Sequence, residues 1–271
     1  MHMILDGVEW KSAIARHKEA PDDGFIHKVL KTYQEKGYTY LRDCGDRWGA
    51  GKRAREVAKE YGITYRTPLA PLCKENHYGA FIGLVWGNLR QYRELVRKMK
   101  TEGADFIKIM ISGLMDFDRF GVLTEEGLDP KEIRELIHIA HDEGMAVSAH
   151  CNGAKTAIAA AEAGLDSVEH GAYLNDEALA AMTEAGTVWV PTLSAIGNLR
   201  GTGRFSETDV CRILASAQEN LSRYQGLVAP GTDAGAWAVP HGSETELPLL
   251  LESGITPHRL ATGTAIIMEK F

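Results

Sequence analysis

The sequence predicts an α/β fold and, within that class, a (β/α)8 TIM barrel. Eight short apolar segments alternate with longer amphipathic segments along the 271 residues. The apolar segments hold few polar positions, which indicates parallel strands covered by helices. Eight such units in about 250 residues match the barrel in count and size. The predicted strands are Met1–Leu5, Tyr38–Asp43, Thr64–Leu69, Asp105–Ser112, Ala146–His150, Ser167–His170, Val188–Leu193 and Leu227–Asp233.

The helices between these strands carry explicit start and stop signals. Asp129 is a natural N-cap, Pro130 occupies the first helical position, and Gly144 ends the same helix. Asn175 and Ser206 open two further amphipathic helices in the same way. A doubly wound open sheet is the alternative, but no Gly-x-Gly-x-x-Gly motif follows an early strand. Because no Pro- or Ser-rich linker divides the chain, we expect a single domain over residues 1–271.

Composition excludes several classes of protein. The net charge is −7 and no Lys- or Arg-rich block occurs, which argues against nucleic acid as a partner. No run of about 18 apolar residues and no signal peptide is present, so we expect no membrane partner and a cytoplasmic location. The four cysteines are far apart, which predicts neither a disulfide scaffold nor a zinc knuckle.

Polar side chains occur where the active site of such a barrel lies, at the carboxyl ends of the strands. His150, His170 and Asp233 each end a predicted strand. Lys108 lies within the fourth strand, and the isoleucines at 107, 109 and 111 pack outward, so the lysine points to the interior. A buried lysine there is a member of an ion pair, a Schiff-base former or a carbamylated metal ligand.

Two imidazoles and a carboxylate at neighbouring strand ends are the ligand types of zinc and similar divalent ions. The residues alone therefore indicate a metal site near His150, His170 and Asp233. His17 and His27, in contrast, are predicted to be surface residues of helices.

Six motifs between Gly37 and Thr264 together resemble the amidohydrolase superfamily, in particular its imidazolonepropionase-like and prolidase-like dipeptidases. They include Tyr-Leu-Arg-Asp-Cys-Gly, Phe-Ile-Lys-Ile, Ala-His-Cys-Asn-Gly, Ser-Val-Glu-His-Gly and Gly-Thr-Asp-Ala-Gly. The resemblance implies a barrel with up to two divalent metals, most often zinc, bridged by a carbamate on Lys108. It assigns His150 and His170 to one metal, and Asp233 to the other metal and to proton transfer.

The resemblance also shows where this chain departs from its relatives. Their first strand ends in His-x-His, whereas here the chain begins Met1-His2, so His2 matches the second histidine and the first is absent. The segments that form a small β-sandwich domain in relatives are missing as well. Two explanations are a chain truncated at both ends and a minimal barrel with a weakened metal site.

The leading functional hypothesis is hydrolysis of an amide C–N bond in a small molecule, a dipeptide or an N-acyl amino acid. A metal would activate water and Asp233 would carry its proton. The alternatives are a Schiff-base lyase that uses Lys108 and a barrel with little or no activity. His77 matches a loop histidine that reaches the substrate carbonyl in relatives. Further substrate-binding candidates on strand-end loops are Asn152, Tyr173 and His241. Arg42 and Asp43 are predicted to form a buried pair, and assembly into a homo-oligomer is left open.

Overall fold

The computed structural model describes residues 1–271 and has an α/β architecture in which all paired strands are parallel. One sheet contains two strands in the order β1-β2, and the other contains six in the order β4-β3-β5-β6-β7-β8. The strands are β1 (Tyr40–Arg42), β2 (Thr64–Arg66), β3 (Leu72–Lys74), β4 (Leu84–Trp86), β5 (Ile107–Met110), β6 (Val147–Cys151), β7 (Ser167–His170) and β8 (Val188–Val190).

Eleven α-helices and one short 3-10 helix at Lys59–Tyr61 connect and cover the strands. The predicted N-caps Asp129, Asn175 and Ser206 each accept a hydrogen bond from a backbone N–H in the first turn of their helix. The helices are α1 (Trp10–His17), α2 (Asp23–Glu35), α3 (Ala50–Ala58), α4 (Leu89–Thr101), α5 (Pro130–Asp142), α6 (Ala154–Glu162), α7 (Asp176–Ala185), α8 (Ser194–Gly197), α9 (Glu207–Arg223), α10 (Glu246–Glu252) and α11 (Pro257–Lys270).

The α/β class and the parallel pairing confirm the sequence prediction, whereas two of the eight predicted strands are wrong. Met1–Leu5 forms no strand, because its backbone makes isolated hydrogen bonds rather than a ladder: His2 N–H donates to Ala234, and Met1 C=O accepts from Cys44. In the segment Leu227–Asp233, only Val228 forms a bridge, to Trp189. The sequence also missed β3 and β4.

The predicted segments nevertheless follow one another in space in the predicted order. Thr67, just after β2, accepts a hydrogen bond from the N–H of Asp105, just before β5, so the two sheets adjoin there. The bridge at Val228 continues the large sheet past β8, and the His2 to Ala234 bond leads from there to the chain start. No continuous ladder closes the ring, but the strand ends share one edge.

The cores lie on both faces of the strands. Ile107, Ile109 and Ile111 belong to the large core between the six-stranded sheet and its helices, as predicted, which turns Lys108 to the opposite face. On that inner face, away from the strands' carboxyl ends, Phe106 and Phe271 pack edge to face at a ring-centroid distance of 5.1 Å. The bottom of the interior is therefore filled by this aromatic pair together with the aliphatic side chains of Val188, Val190, Ala229 and Ile267.

Two predictions about polar residues are wrong. His17 is fully buried rather than on the surface, since its Nδ1 accepts a hydrogen bond from the N–H of Asp22 where the chain turns into α2. Arg42, at the end of β1, and Asp43, which follows it, do not pair with each other, because consecutive side chains of an extended backbone point to opposite faces. Arg42 binds Glu169, and Asp43 accepts hydrogen bonds from the N–H groups of Met3 and Gly45. None of the helices combines the length and the apolar character that crossing a membrane requires.

Candidate active site

The carboxyl ends of the strands bring together most of the predicted site residues. His150 on β6 and His170 on β7 lie side by side, with ring centroids 4.6 Å apart. His2 Nε2 is 3.2 Å from Asp233 Oδ1 at the chain segment that continues the same sheet. Gly235 allows this second contact, since a Cβ there would meet the carbonyl oxygen of His2 at 2.5 Å.

His150 is held as a neutral imidazole with one defined free nitrogen. Its Nε2 lies 3.1 Å from the carbonyl oxygen of Gly113 and 3.3 Å from the side-chain nitrogen of Asn152, so Nδ1 is the ring nitrogen without a hydrogen-bond partner in the protein. Burial is the main cause that lowers the pKa of His150 well below its ordinary value, and the nearby charge of Lys108 acts in the same direction. A neutral imidazole with a free nitrogen is the form that binds metals.

His170 is neutral as well, and it occupies a strained backbone position. Its Nδ1 lies 2.7 Å from Thr192 Oγ1, and burial lowers its pKa to about 4. The φ angles of His170, Thr192 and Asp233 are all positive, at 71°, 50° and 56° respectively. Trp189 Nε1 donates to the carbonyl oxygen of His170 and helps to hold this conformation. Non-glycine residues with positive φ are costly and concentrate at functional sites.

Asp233 is an ionised carboxylate. Burial by itself raises its pKa, but the hydrogen bond and charge of His2, together with His170, outweigh burial and hold the pKa well below the usual range. His2 Nδ1 is buried and has no hydrogen-bond partner. The pair therefore presents a charged oxygen ligand beside an unsatisfied imidazole nitrogen.

Lys108 is 2% exposed and makes neither a hydrogen bond nor an ion pair with the protein. The nearby Glu169 is occupied by other groups: Arg42 and the hydroxyls of Ser148 and Ser167. Burial alone would raise the pKa of Glu169, but Arg42, Lys108 and the serines together lower it to about 2. Of the three possibilities that the sequence left open for Lys108, the ion pair is therefore not formed, and the lysine is a buried amine without a direct partner among charged groups.

The donor types of this site fit a divalent cation. Neutral imidazoles, a carboxylate and an orphaned buried nitrogen are the groups that such an ion satisfies. No three His, Cys, Asp or Glu side chains stand close enough together to enclose an ion. An ion here would therefore draw the two pairs closer or use an additional ligand.

The four substrate-binding candidates have different surroundings. Asn152 is fully buried and ties three loops together by donating to Gly113, accepting from Ala172 and binding Ser112 through its backbone. His241 is also structural, since its Nε2 lies 2.9 Å from the Leu5 carbonyl, and burial lowers its pKa to about 4.

His77 and Tyr173, in contrast, lie on loops at the carboxyl ends of the strands. His77 Nδ1 is 3.5 Å from Glu125 Oε2, which joins the loops after β3 and β5. Tyr173 packs edge to face on Phe120, with a centroid distance of 5.6 Å.

Sequence reasoning missed the residue after His77. The ring of Tyr78 packs against that of His150, with centroids 4.7 Å apart. It also missed a group of three half-buried aromatic side chains. Phe117 lies on the loop after β5, Phe205 on a loop beyond β8, and Trp237 on the loop after Asp233. These loops have no periodic pattern, and only the adjacency of Tyr78 to His77 could have drawn attention to it.

A comparison with known protein families identifies the family of this chain. Residues 24–243 match the model of the amidohydrolase family, a range that includes Lys108, His150, His170 and Asp233. The chain belongs to the amidohydrolase family.

Individual relatives agree with this assignment. Ochratoxinase of Aspergillus niger is 29% identical over 217 residues, which are 75% of this chain and 42% of the relative. An uncharacterized protein of Mycobacterium tuberculosis is 32% identical over 148 residues, covering 49% of this chain and 38% of that protein. This chain thus spans about two fifths of the length of the curated relatives it matches.

Solved structures share the fold. A Xaa-Pro dipeptidase with bound methionine in its active site superposes with a TM-score of 0.73 at 21% identity, over 95% of this chain and 70% of that chain. The structure of A. niger ochratoxinase also superposes with a TM-score of 0.73, at 20% identity, over 96% of this chain and 66% of that chain.

Proposed function

We propose that this protein is a metal-dependent hydrolase that cleaves an amide C–N bond in a small substrate, such as a dipeptide or an N-acyl amino acid. The observation that carries the proposal is the pair of neutral imidazoles, His150 and His170, at the same sheet edge as the ionised Asp233. Family membership and the names of the relatives, an ochratoxinase and a dipeptidase, support an amide bond as the target.

The chain's own residues define where a divalent ion would be held, and their nitrogen and oxygen donors match the ligand preference of zinc. His150 and His170 would bind through the nitrogens not used for protein hydrogen bonds, and Asp233 and His2 would supply a second set of donors. Lys108 would join them as a carbamate, which replaces an unpartnered buried amine with an anionic ligand. When bound, the ion lowers the pKa of water and polarises a carbonyl group.

Asp233 would act as the proton carrier of the reaction. An ionised carboxylate can take the proton from the attacking water and then deliver it to the amide nitrogen as the C–N bond breaks. The contact with His2 keeps this carboxylate charged and oriented in the resting protein.

The substrate class is suggested by a cation on a loop beyond β8. Arg204 is exposed and forms no ion pair, and its guanidinium lies 4.2 Å from the ring centroid of Trp237, four residues after Asp233. A free guanidinium beside aromatic side chains suits the carboxylate of a dipeptide or an N-acyl amino acid. Hydrolysis of an N-acyl amino acid should therefore exceed that of its C-terminal amide.

A Schiff-base lyase is the second candidate, because the buried amine of Lys108 has no partner. Borohydride reduction in the presence of a carbonyl substrate would trap such an enzyme through this lysine. The lyase would be excluded if elemental analysis finds one or two equivalents of zinc per chain and the protein also hydrolyses an amide.

The decisive experiment for the hydrolase is Asp233→Asn. The amide keeps the size of the side chain but cannot accept a proton, so turnover should fall by about 10²–10⁴-fold with the melting temperature little changed. Asp176→Asn, at a side chain that is 80% exposed, is the matched control and should keep full activity. Near-normal turnover of Asp233→Asn would refute the proposed role.

A further inference from the structure

The strongest unassigned feature near the site is Tyr78. Its ring packs against that of His150, with centroids 4.7 Å apart and planes inclined by 41°, and its centroid lies 5.8 Å from that of Phe81. Neither the predicted site nor the proposed proton transfer uses this side chain.

The loop around Tyr78 is built to hold the ring in this place. The Tyr78 N–H donates to the carboxylate of Glu125, which ties the loop after β3 to the loop after β5. Gly79 has a φ of 103°, and a Cβ there would meet the side chains of Met110 and Cys73 at 2.6 and 2.7 Å. The chain can therefore come this close to β5 only with glycine after the tyrosine.

The hydroxyl of Tyr78 is left free for a ligand. It forms no hydrogen bond with the protein, and the residue is only partly buried. A phenol hydroxyl keeps its proton at neutral pH and can donate it in a hydrogen bond.

We propose that the Tyr78 hydroxyl donates a hydrogen bond to the carbonyl oxygen of the scissile amide, an inference that rests on the proposed hydrolase function. As water adds to the carbonyl carbon, a C–O bond forms and the C=O π electrons move to that oxygen. Tyr78 keeps its proton and stabilises the negative charge by the hydrogen bond. The C=O bond then re-forms as the C–N bond breaks, and the nitrogen receives its proton through Asp233. Donors that strengthen in this way act mainly on the transition state.

The competing explanation is that Tyr78 only packs against His150. Tyr78→Phe separates the two roles, because it keeps the ring and its contact with His150 while removing the hydroxyl. Tyr92→Phe is the matched control: the Tyr92 hydroxyl is buried without a partner against Trp86, outside the site.

The test measures kcat and KM on a hydrolysed dipeptide, the Kd of its phosphonate analogue, the bound metal and the melting temperature. For Tyr78→Phe we expect kcat to fall by about 100-fold and phosphonate binding to weaken by a similar factor, with KM, metal content and melting temperature nearly unchanged. Tyr92→Phe should match the wild type in kcat, KM, phosphonate affinity and metal content.

Two results for Tyr78→Phe would overturn the inference. Retention of kcat and phosphonate affinity within about threefold would show that the hydroxyl makes no contact in the transition state. A parallel loss of metal would show that Tyr78 acts by positioning His150. If the wild type binds the phosphonate but hydrolyses no amide, the phosphonate Kd of Tyr78→Phe alone tests the role of the hydroxyl. If the wild type neither binds the phosphonate nor hydrolyses an amide, the hydrolase proposal is wrong and the inference is wrong with it.

Discussion

Arg42 on β1 reaches across the interior to Glu169 on β7, with Nη2 2.7 Å from Oε1, and this buried ion pair joins the two sheets directly beneath the site. The side chains are only 12% and 8% exposed. Ser148 and Ser167 donate to the same carboxylate oxygen, and the Arg42 guanidinium also lies 4.7 Å from the ring centroid of Phe271. Because Glu169 immediately precedes His170, the pair supports the strand end that carries a predicted metal ligand.

Removal of the guanidinium should be strongly destabilising. Arg42→Met leaves Glu169 as a buried, uncompensated charge, and we expect a loss of about 3–5 kcal/mol in the free energy of unfolding. Denaturant titration measures this, with Arg90→Met as the control, since the Arg90–Glu94 pair is solvent-exposed and should contribute at most about 1 kcal/mol. Equal losses in the two variants would contradict the role of the buried pair.

Truncation of the Phe106–Phe271 pair at the bottom of the interior should be equally destabilising. Phe271 is 4% exposed and packs on Phe106, so Phe271→Ala should lower the free energy of unfolding by about 3–5 kcal/mol through lost burial and a cavity. Met268→Ala, three residues earlier and 47% exposed, is the control and should change stability by less than about 1 kcal/mol. An unchanged unfolding midpoint for Phe271→Ala would argue against this packing.

Glu246 should make stability depend on pH. It accepts hydrogen bonds from the N–H groups of Leu193 and Ser194, but burial raises its pKa from 4.5 to about 7. Between these values the folded state keeps a proton that the unfolded chain has lost. This contribution to stability is therefore full below pH 4.5 and is lost as pH rises to about 7.

Glu246→Gln removes this titration. Relative to the wild type, the variant should gain stability as pH rises through that window, at up to about 1.4 kcal/mol per pH unit. Urea unfolding at pH 4.5, 6 and 7.5 measures the difference. A constant difference across the series would show that the Glu246 pKa is not raised in the folded state.

Lys108 should destabilise the metal-free protein but be required for metal binding. In metal-free protein, Lys108→Met should raise the free energy of unfolding by about 1–3 kcal/mol, because it removes a buried amine that has no partner. The same variant should bind less zinc, and reloading of the metal-free wild type should depend on bicarbonate, which a carbamate requires. Lys155→Met, at an exposed lysine, should change neither property. Full zinc binding by Lys108→Met would remove this lysine from the proposed ligand set.

The sequence by itself determined the α/β class, the parallel strands and most of the residues at the candidate site. These follow from local rules: apolar runs define buried strands, alternation sends Lys108 inward, and strand-ending positions such as His150 and His170 fall at one sheet edge. The caps at Asp129, Asn175 and Ser206 are equally local, since each acts within one turn of its own helix.

Tertiary structure alone decided which groups meet across long separations. Arg42 binds Glu169 rather than Asp43, Lys108 has no partner, and Tyr78 packs on His150, although no periodic pattern predicts these contacts. For the same reason the sequence did not predict the strands β3 and β4 and wrongly predicted a strand at Met1–Leu5. Strand pairing and loop contacts depend on backbone partners far away in the chain, and the charge state of each buried group depends on the neighbours that folding supplies.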